Sequence, residues 1–137
     1  MMKLAKGTLV AFMAVPAIAA IPPTAHAETA LGCGSKVQIG STAHIRHDGQ
    51  IFASVKQFKG CGKNWAYLYV WSGYRKSHRT WNACVAVADE RDHSLEGTQC
   101  RTRTRQIWSL GADTLRHCTR AVGWIPSGPR ARTSKVC

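Results

Sequence analysis

Residues 65–71 read Trp-Ala-Tyr-Leu-Tyr-Val-Trp, an alternation of large aromatic and aliphatic side chains without an exception. A period of two is the signature of an extended strand, in which successive side chains point to opposite faces. Trp65, Tyr67, Tyr69 and Trp71 then form one row, and Ala66, Leu68 and Val70 the other. Both faces therefore carry side chains that can be buried. The aliphatic row suits a sheet interior. The aromatic row either packs under loops or stands open as a stacking platform for rings, and periodicity does not choose between these.

The cysteines narrow the setting. Cys33, Cys61, Cys84, Cys100, Cys118 and Cys137 all lie downstream of a leader-like segment: a start with Lys3 and Lys6, an apolar run over residues 9–21 broken by Pro16, and the small-residue site Ala25-His26-Ala27. This pattern predicts a signal peptide over 1–27, cleaved after Ala27, with 28–137 as a single secreted β domain and no transmembrane span after cleavage. An even number of cysteines in an exported domain predicts disulfides. Their spacing includes no close C-x-x-C pair, so no zinc site is expected and no cofactor motif is present. Losing Lys3 and Lys6 from the 19 basic residues leaves 17 against 7 acidic ones, a formal charge of +10. A small domain with that self-repulsion needs anionic partners, covalent bridges, or both.

Short strands with turns between them account for most of the remainder. Residues 36–47 are expected as a first strand with Val37, Ile39 and Ile45 inward. Asp48-Gly49 is a hairpin turn, and 51–58 returns with Ile51, Ala53 and Val55 on one face and Phe52, Ser54, Lys56 and Phe58 on the other. Glycines 60 and 62 with Asn64 turn the chain into the aromatic strand, antiparallel to the one before. Residues 72–80 are polar and basic, and read as an exposed loop. Residues 81–88 are almost wholly apolar and predict a covered strand. Residues 89–97 hold four of the seven acids, Asp89, Glu90, Asp92 and Glu96. Residues 98–108 alternate again and 114–124 make a last strand, before a tail broken by Pro126-Ser127-Gly128-Pro129. The expected fold is all-β: a small antiparallel sandwich or barrel of about six strands, stapled by disulfides. A hairpin of 81–88 with 98–106 centred near His93 brings Cys84 within reach of Cys100, and Cys33 with Cys61 and Cys118 with Cys137 are the natural remainder.

Three constellations bear on function. Arg101, Arg103 and Arg105, two apart on a strand, would present guanidinium groups roughly 7 Å apart along one face, a comb suited to phosphates, sulfates or carboxylates; a solvated basic face is the plainer reading. Arg75 and Arg79 add cations on the 72–80 loop. For catalysis the chain offers His44, His47, His78, His93 and His117, with Glu90, Asp92, Glu96 and Asp113 as carboxylates. His44 and His47 fall on opposite faces of a strand, a poor metal pair. No G-x-S-x-G, H-E-x-x-H or P-loop occurs.

The expected function is therefore a small, basic, monomeric secreted module. It would bind an anionic polymer, whether nucleic acid, acidic polysaccharide or cell-wall polymer, or a cell-surface glycan, using Arg75, Arg79, Arg101, Arg103 and Arg105 with Trp65, Tyr67, Tyr69 and Trp71 as a stacking platform. One alternative is a nuclease or other small hydrolase pairing His44, His78, His93 or His117 with a carboxylate of residues 89–96. Another is an inhibitor or interaction domain for a secreted protein, presenting residues 72–80 between Trp71 and Trp81.

Overall fold

The computed structural model describes residues 32–137, so the expected signal peptide lies outside the described residues. Eight strands and one short helix follow one another as β1 (Val37–His47), β2 (Gln50–Gly60), β3 (Lys63–Val70), α1 (Ser72–Ser77), β4 (Asn82–Asp89), β5 (Leu95–Thr102), β6 (Gln106–Trp108), β7 (Thr119–Trp124) and β8 (Arg130–Arg132). They form two four-stranded antiparallel sheets, ordered β1-β2-β3-β6 and β5-β4-β7-β8.

The turns follow from the residues that tolerate positive φ. Asp48 and Gly49 both adopt it between the paired residues His47 and Gln50, and Cys61 and Gly62 do so between Gly60 and Lys63. These are two-residue connections of the kind whose twist matches the strands they join. The second carries a cysteine at its tip, which Cys33 reaches to close the first bridge; the others are Cys84–Cys100 and Cys118–Cys137. Cys84 and Cys100 sit directly opposite in the β4–β5 ladder, because a bulge between Val85 and Val87 shifts the register by the step the pairing needs.

The core lies between the sheets. Ile45, Val55, Ala66, Leu68, Val70 and Ile107 from the first sheet meet Ala83, Val85, Val87 and Ala121 from the second. Gly123 on β7 lets the sheets close here: a Cβ at that position would stand 2.5 Å from Val55 Cγ2. The aliphatic row of β3 thus faces the partner sheet as its periodicity requires. Next to it is a buried polar cluster, in which Asn64 donates to Thr114 at 2.9 Å and Thr119 at 3.3 Å, and Gln57 donates to Thr119.

Four expectations change. Val37 is 67% exposed and Ile39 only half-buried, while Ile45 is buried, because Gly40 takes positive φ within a register shift between Ile39 and Ala43 that breaks the period of two. Residues 72–80 are not all loop: Ser72–Ser77 turn once as α1, and Tyr74 is buried on Phe52 with ring centroids 4.7 Å apart. Residues 114–118 precede β7 instead of belonging to it, since Thr114 turns inward to Asn64, and β7 is not the last strand, because β8 follows in the tail and pairs with it. Residues 98–108 are split. β5 ends at Thr102, Arg103 enters the left-handed region with φ 57°, and β6 begins at Gln106 in the other sheet. Backbone bonds from Arg103 N to Trp81 O and from Val70 N to Arg105 O hold the crossing. Among the described residues, no helix is long and apolar enough to cross a membrane.

Candidate functional site: a basic cleft and an aromatic cleft either side of Arg75

The split between β5 and β6 ends the linear arginine comb. Arg101 stays on the strand and folds back, donating to Gln99 Oε1 at 2.7 Å and to its neighbour's carbonyl, Cys100 O, at 2.8 Å. Arg105 is exposed in the crossing. Arg103, turned by its left-handed backbone, joins a different group: with Arg75, Lys76, Ser77, His78, Arg79 and Trp81 it lines a cleft of about 650 Å³. Four cations meet there and no acid lines the wall. Trp81 forms part of the floor, its indole N–H held by Thr104 O at 3.1 Å. His78 is fixed by Asp48 of the first hairpin turn, Nε2 to Oδ2 3.0 Å, and stacks flat on Tyr74 at 3.7 Å. α1 is thereby pinned to the β1–β2 turn at one end and to the core by Tyr74, so Arg75 and Lys76 project from a fixed base.

The aromatic row divides in two. Trp65 and Tyr67 are covered, Tyr67 to 2% exposure, by Cys33, Phe58 and Trp108. Lys36 lies over this cluster, its Nζ 4.7 Å from the Trp108 ring centroid and 5.9 Å from that of Trp65, with its charge also satisfied by Cys33 O at 3.0 Å. Burial there lowers the Lys36 pKa from its ordinary value. Tyr69 is half-buried against this cluster, and Trp71 remains open. Trp71 is 40% exposed, donates from its indole N–H to Ser54 Oγ at 2.8 Å and meets the His44 ring edge-on. Together with Ser54, Lys56, Tyr67, Ser72 and Gln106, Tyr69 and Trp71 line a second cleft, of about 410 Å³.

Arg75 stands between the two clefts. Its Nε donates to Val70 O at 3.1 Å, and its guanidinium carbon lies 6.0 Å from the Tyr69 ring centroid, in the range of a cation–π contact.

The histidines separate clearly. His44 flanks Trp71, His47 and His78 lie beside Asp48, and His93 is exposed in the β4–β5 turn with positive φ. Only His117 meets the acidic segment: its Nδ1 is 2.8 Å from Oδ2 of Asp89, a carboxylate with 0% side-chain exposure. Arg91 grips the same carboxylate through Nε and the terminal NH2, and through its backbone N–H to Oδ1 at 3.0 Å. These Arg91 bonds, with that of His117, hold the Asp89 carboxyl well below the usual carboxylate range against the opposing effect of burial. The ring of His117 then borders a cleft with Asp113, Leu115 and Arg116. Glu90 pairs instead with Arg120 at 3.1 Å, and Asp113 with Lys63 at 3.7 Å.

Sequence reasoning missed the contribution of Ser54, Ser72 and Gln106 to the aromatic cleft, and the grouping of Arg103 with α1. Among the described residues, no group of three or more His, Cys, Asp or Glu side chains is placed to hold a metal ion. Compared with protein-family models, curated proteins and solved structures, the chain matches none of them.

Proposed function

We propose that this chain is a secreted, disulfide-stabilised module that binds an anionic polymer through the cleft of Arg75, Lys76, Arg79 and Arg103. The observation that carries the reading is the convergence of four cations from two separate segments on one wall without an acid among them. Guanidinium forks suit phosphate, sulfate or carboxylate groups, and Trp81 beside them supplies an apolar floor. The leader-like residues 1–27 and three bridged cysteine pairs support an extracellular setting, in which recovery of the chain from culture medium beginning at Glu28 is the expected result.

Salt tests the binding. Four contacts to a single-stranded polyanion predict a slope of log affinity against log salt of roughly −3. Replacing Arg79 and Arg103 together by Ala should reduce the magnitude of that slope by about half. A protein that passes through immobilised heparin, polyphosphate and nucleic acid at low ionic strength without retention ends the proposal.

The Asp89–His117 contact favours a second reading, a small hydrolase. A buried carboxylate that fixes Nδ1 leaves Nε2 as the exchanging nitrogen of a general base, with Arg116 in the same cleft to meet a developing negative charge. Turnover of RNA, DNA or cell-wall polymer that is abolished by His117→Ala and untouched by His93→Ala would establish it. No turnover on any of these leaves binding alone.

A further inference from the structure

The basic cleft accounts for anions, but not for the open half of the aromatic row one helical turn away. We infer that the cleft beside Tyr69 and Trp71 takes one sugar ring of an acidic polysaccharide, whose charged substituents continue over Arg75 into the basic cleft. The inference rests on the anion-binding reading above and specifies the polymer.

The two clefts have no lining residue in common, but Arg75 of the first contacts Tyr69 of the second. Trp71 and Arg75 are four residues apart at the start of α1, about 6 Å along its axis, and Arg75 N donates to Trp71 O at 3.0 Å. The Arg75 side chain donates from Nε to Val70 O and, at 3.5 Å, from a terminal nitrogen to the Tyr69 hydroxyl, which leaves three of its five N–H donors for an anionic group seated beside Tyr69. A sugar ring in the aromatic cleft would set its apolar C–H face against the open aromatic surface. Its hydroxyls would find the exposed side chains of Ser72 and Gln106 at the border, a mixture of apolar floor and convergent polar groups typical of small-ligand clefts. The walls are fixed, since Ser54 Oγ already holds the Trp71 indole nitrogen and the β3–β6 pairing of Tyr69 with Gln106 fixes those two side by side.

The covering of Trp65 and Tyr67 decides the polymer. Proteins that hold single-stranded nucleic acid stack successive bases on successive aromatic side chains. Here Lys36 lies over Trp65, and Tyr67, though it lines the cleft, is only 2% exposed, so that the platform has room for about one ring and not for a run of bases. A polymer with its charge on the ring, as in a uronic acid or a sulfated sugar, places ring and anion together at the distance that Trp71 and Arg75 require.

The test compares three anionic probes against the chain and its variants: a heparin-derived oligosaccharide, inorganic polyphosphate of matched charge, and oligo-dT. Binding is followed calorimetrically and by tryptophan fluorescence. The oligosaccharide should bind about tenfold more tightly than polyphosphate, and Trp71→Ala should remove that advantage, a loss on the scale of one ring stacked on one aromatic. Trp71→Phe should restore most of it, and polyphosphate affinity should not change in either variant. Because Trp71 precedes α1, Gln106→Ala provides an independent variant on an exposed strand position, expected to weaken the oligosaccharide alone by a few-fold. Equal affinity for oligosaccharide and polyphosphate, unmoved by both substitutions, overturns the sugar site while the basic-cleft reading stands. Oligo-dT binding tightest and depending on Trp71 overturns it in favour of a base. No binding of any probe removes the basic-cleft reading and the sugar site with it.

Discussion

Complete reduction of the disulfides should unfold this protein, and the arrangement of the bridges allows the size of the effect to be worked out. Cys33–Cys61, Cys84–Cys100 and Cys118–Cys137 close loops with sequence separations of 28, 16 and 19. The loops neither nest nor overlap, so the chain entropy each removes from the unfolded state adds to that of the others. Loop-closure entropy gives about 3.6, 3.1 and 3.2 kcal/mol, a total on the order of 10 kcal/mol. A domain of this size has a net stability of roughly 5–15 kcal/mol, so reduction takes most or all of it. The assay is near-ultraviolet circular dichroism before and after reduction and alkylation at neutral pH. Intact mass counts the alkylated thiols; the native protein should show none, and the reduced protein all six. The tryptophan signal should collapse in the reduced form and return on reoxidation. A fully alkylated chain that keeps its near-ultraviolet spectrum would refute the reasoning, because the core between the sheets would then be sufficient without any cross-link.

Other substitutions probe the packing and the charge. Gly123→Ala should destabilise by about 1–3 kcal/mol in a denaturant titration, since its Cβ would stand 2.5 Å from Val55 Cγ2 and 3.0 Å from Leu68 Cδ1 with no flexible side chain to yield; an unchanged midpoint would mean the sheets can separate without cost. Leu68→Ala, at the centre of the same interface, should lose about 2–5 kcal/mol by the same measurement. Asp89→Asn should flatten the acid limb of the stability curve. The folded carboxyl titrates below its unfolded value, so it contributes stability above about pH 4 that is lost as the pH falls through the folded pKa. Thermal melts of wild type and variant that run parallel from pH 6 down to pH 2 would remove Asp89 from the acid response.

The parts of the fold that could be read in advance are those where one local rule acts alone. β3 keeps a strict period of two, and its aliphatic row does face the partner sheet. Asp48-Gly49 carries its own turn chemistry, and both residues take the required positive φ. The register of β4 against β5 brings Cys84 and Cys100 together once a bulge is allowed for. Legibility failed where tertiary contacts overrode the local pattern. Val37 has the side chain for an interior position, but the shift at Gly40 disconnects it from Ile45. Tyr74 is buried although its segment is otherwise polar, because six residues are too few for a helical period to be visible. The alternation through residues 98–108 continues across a backbone that changes sheets at Arg103, an event with no signature in side-chain polarity. The site suffered most from this: Arg103 left the row in which periodicity placed it and met Arg75 and Arg79, which are 28 and 24 positions away in the sequence. Of the four histidines considered as partners for a carboxylate of residues 89–96, it is His117 that meets Asp89, through the pairing of Asp89 with Thr119.

Each disulfide joins parts attached to a single sheet: Cys33–Cys61 ties the N-terminal arm to the β2–β3 turn, Cys84–Cys100 links β4 to β5, and Cys118–Cys137 ties the approach to β7 to the end of the chain. The two halves are therefore held to each other without a disulfide, by packing, by side-chain hydrogen bonds such as those of Gln57 and Asn64 to Thr119, and by the places where the backbone passes between them. Two of those passages, β3 to β4 through α1 and β5 to β6 through Arg103, run side by side and supply the cations of the basic cleft. An anion seated there would offset the repulsion among these cations, at a seam that no disulfide crosses. It would act as a removable fourth clasp, drawing the halves together when occupied and leaving the seam the first place to open when salt washes it out.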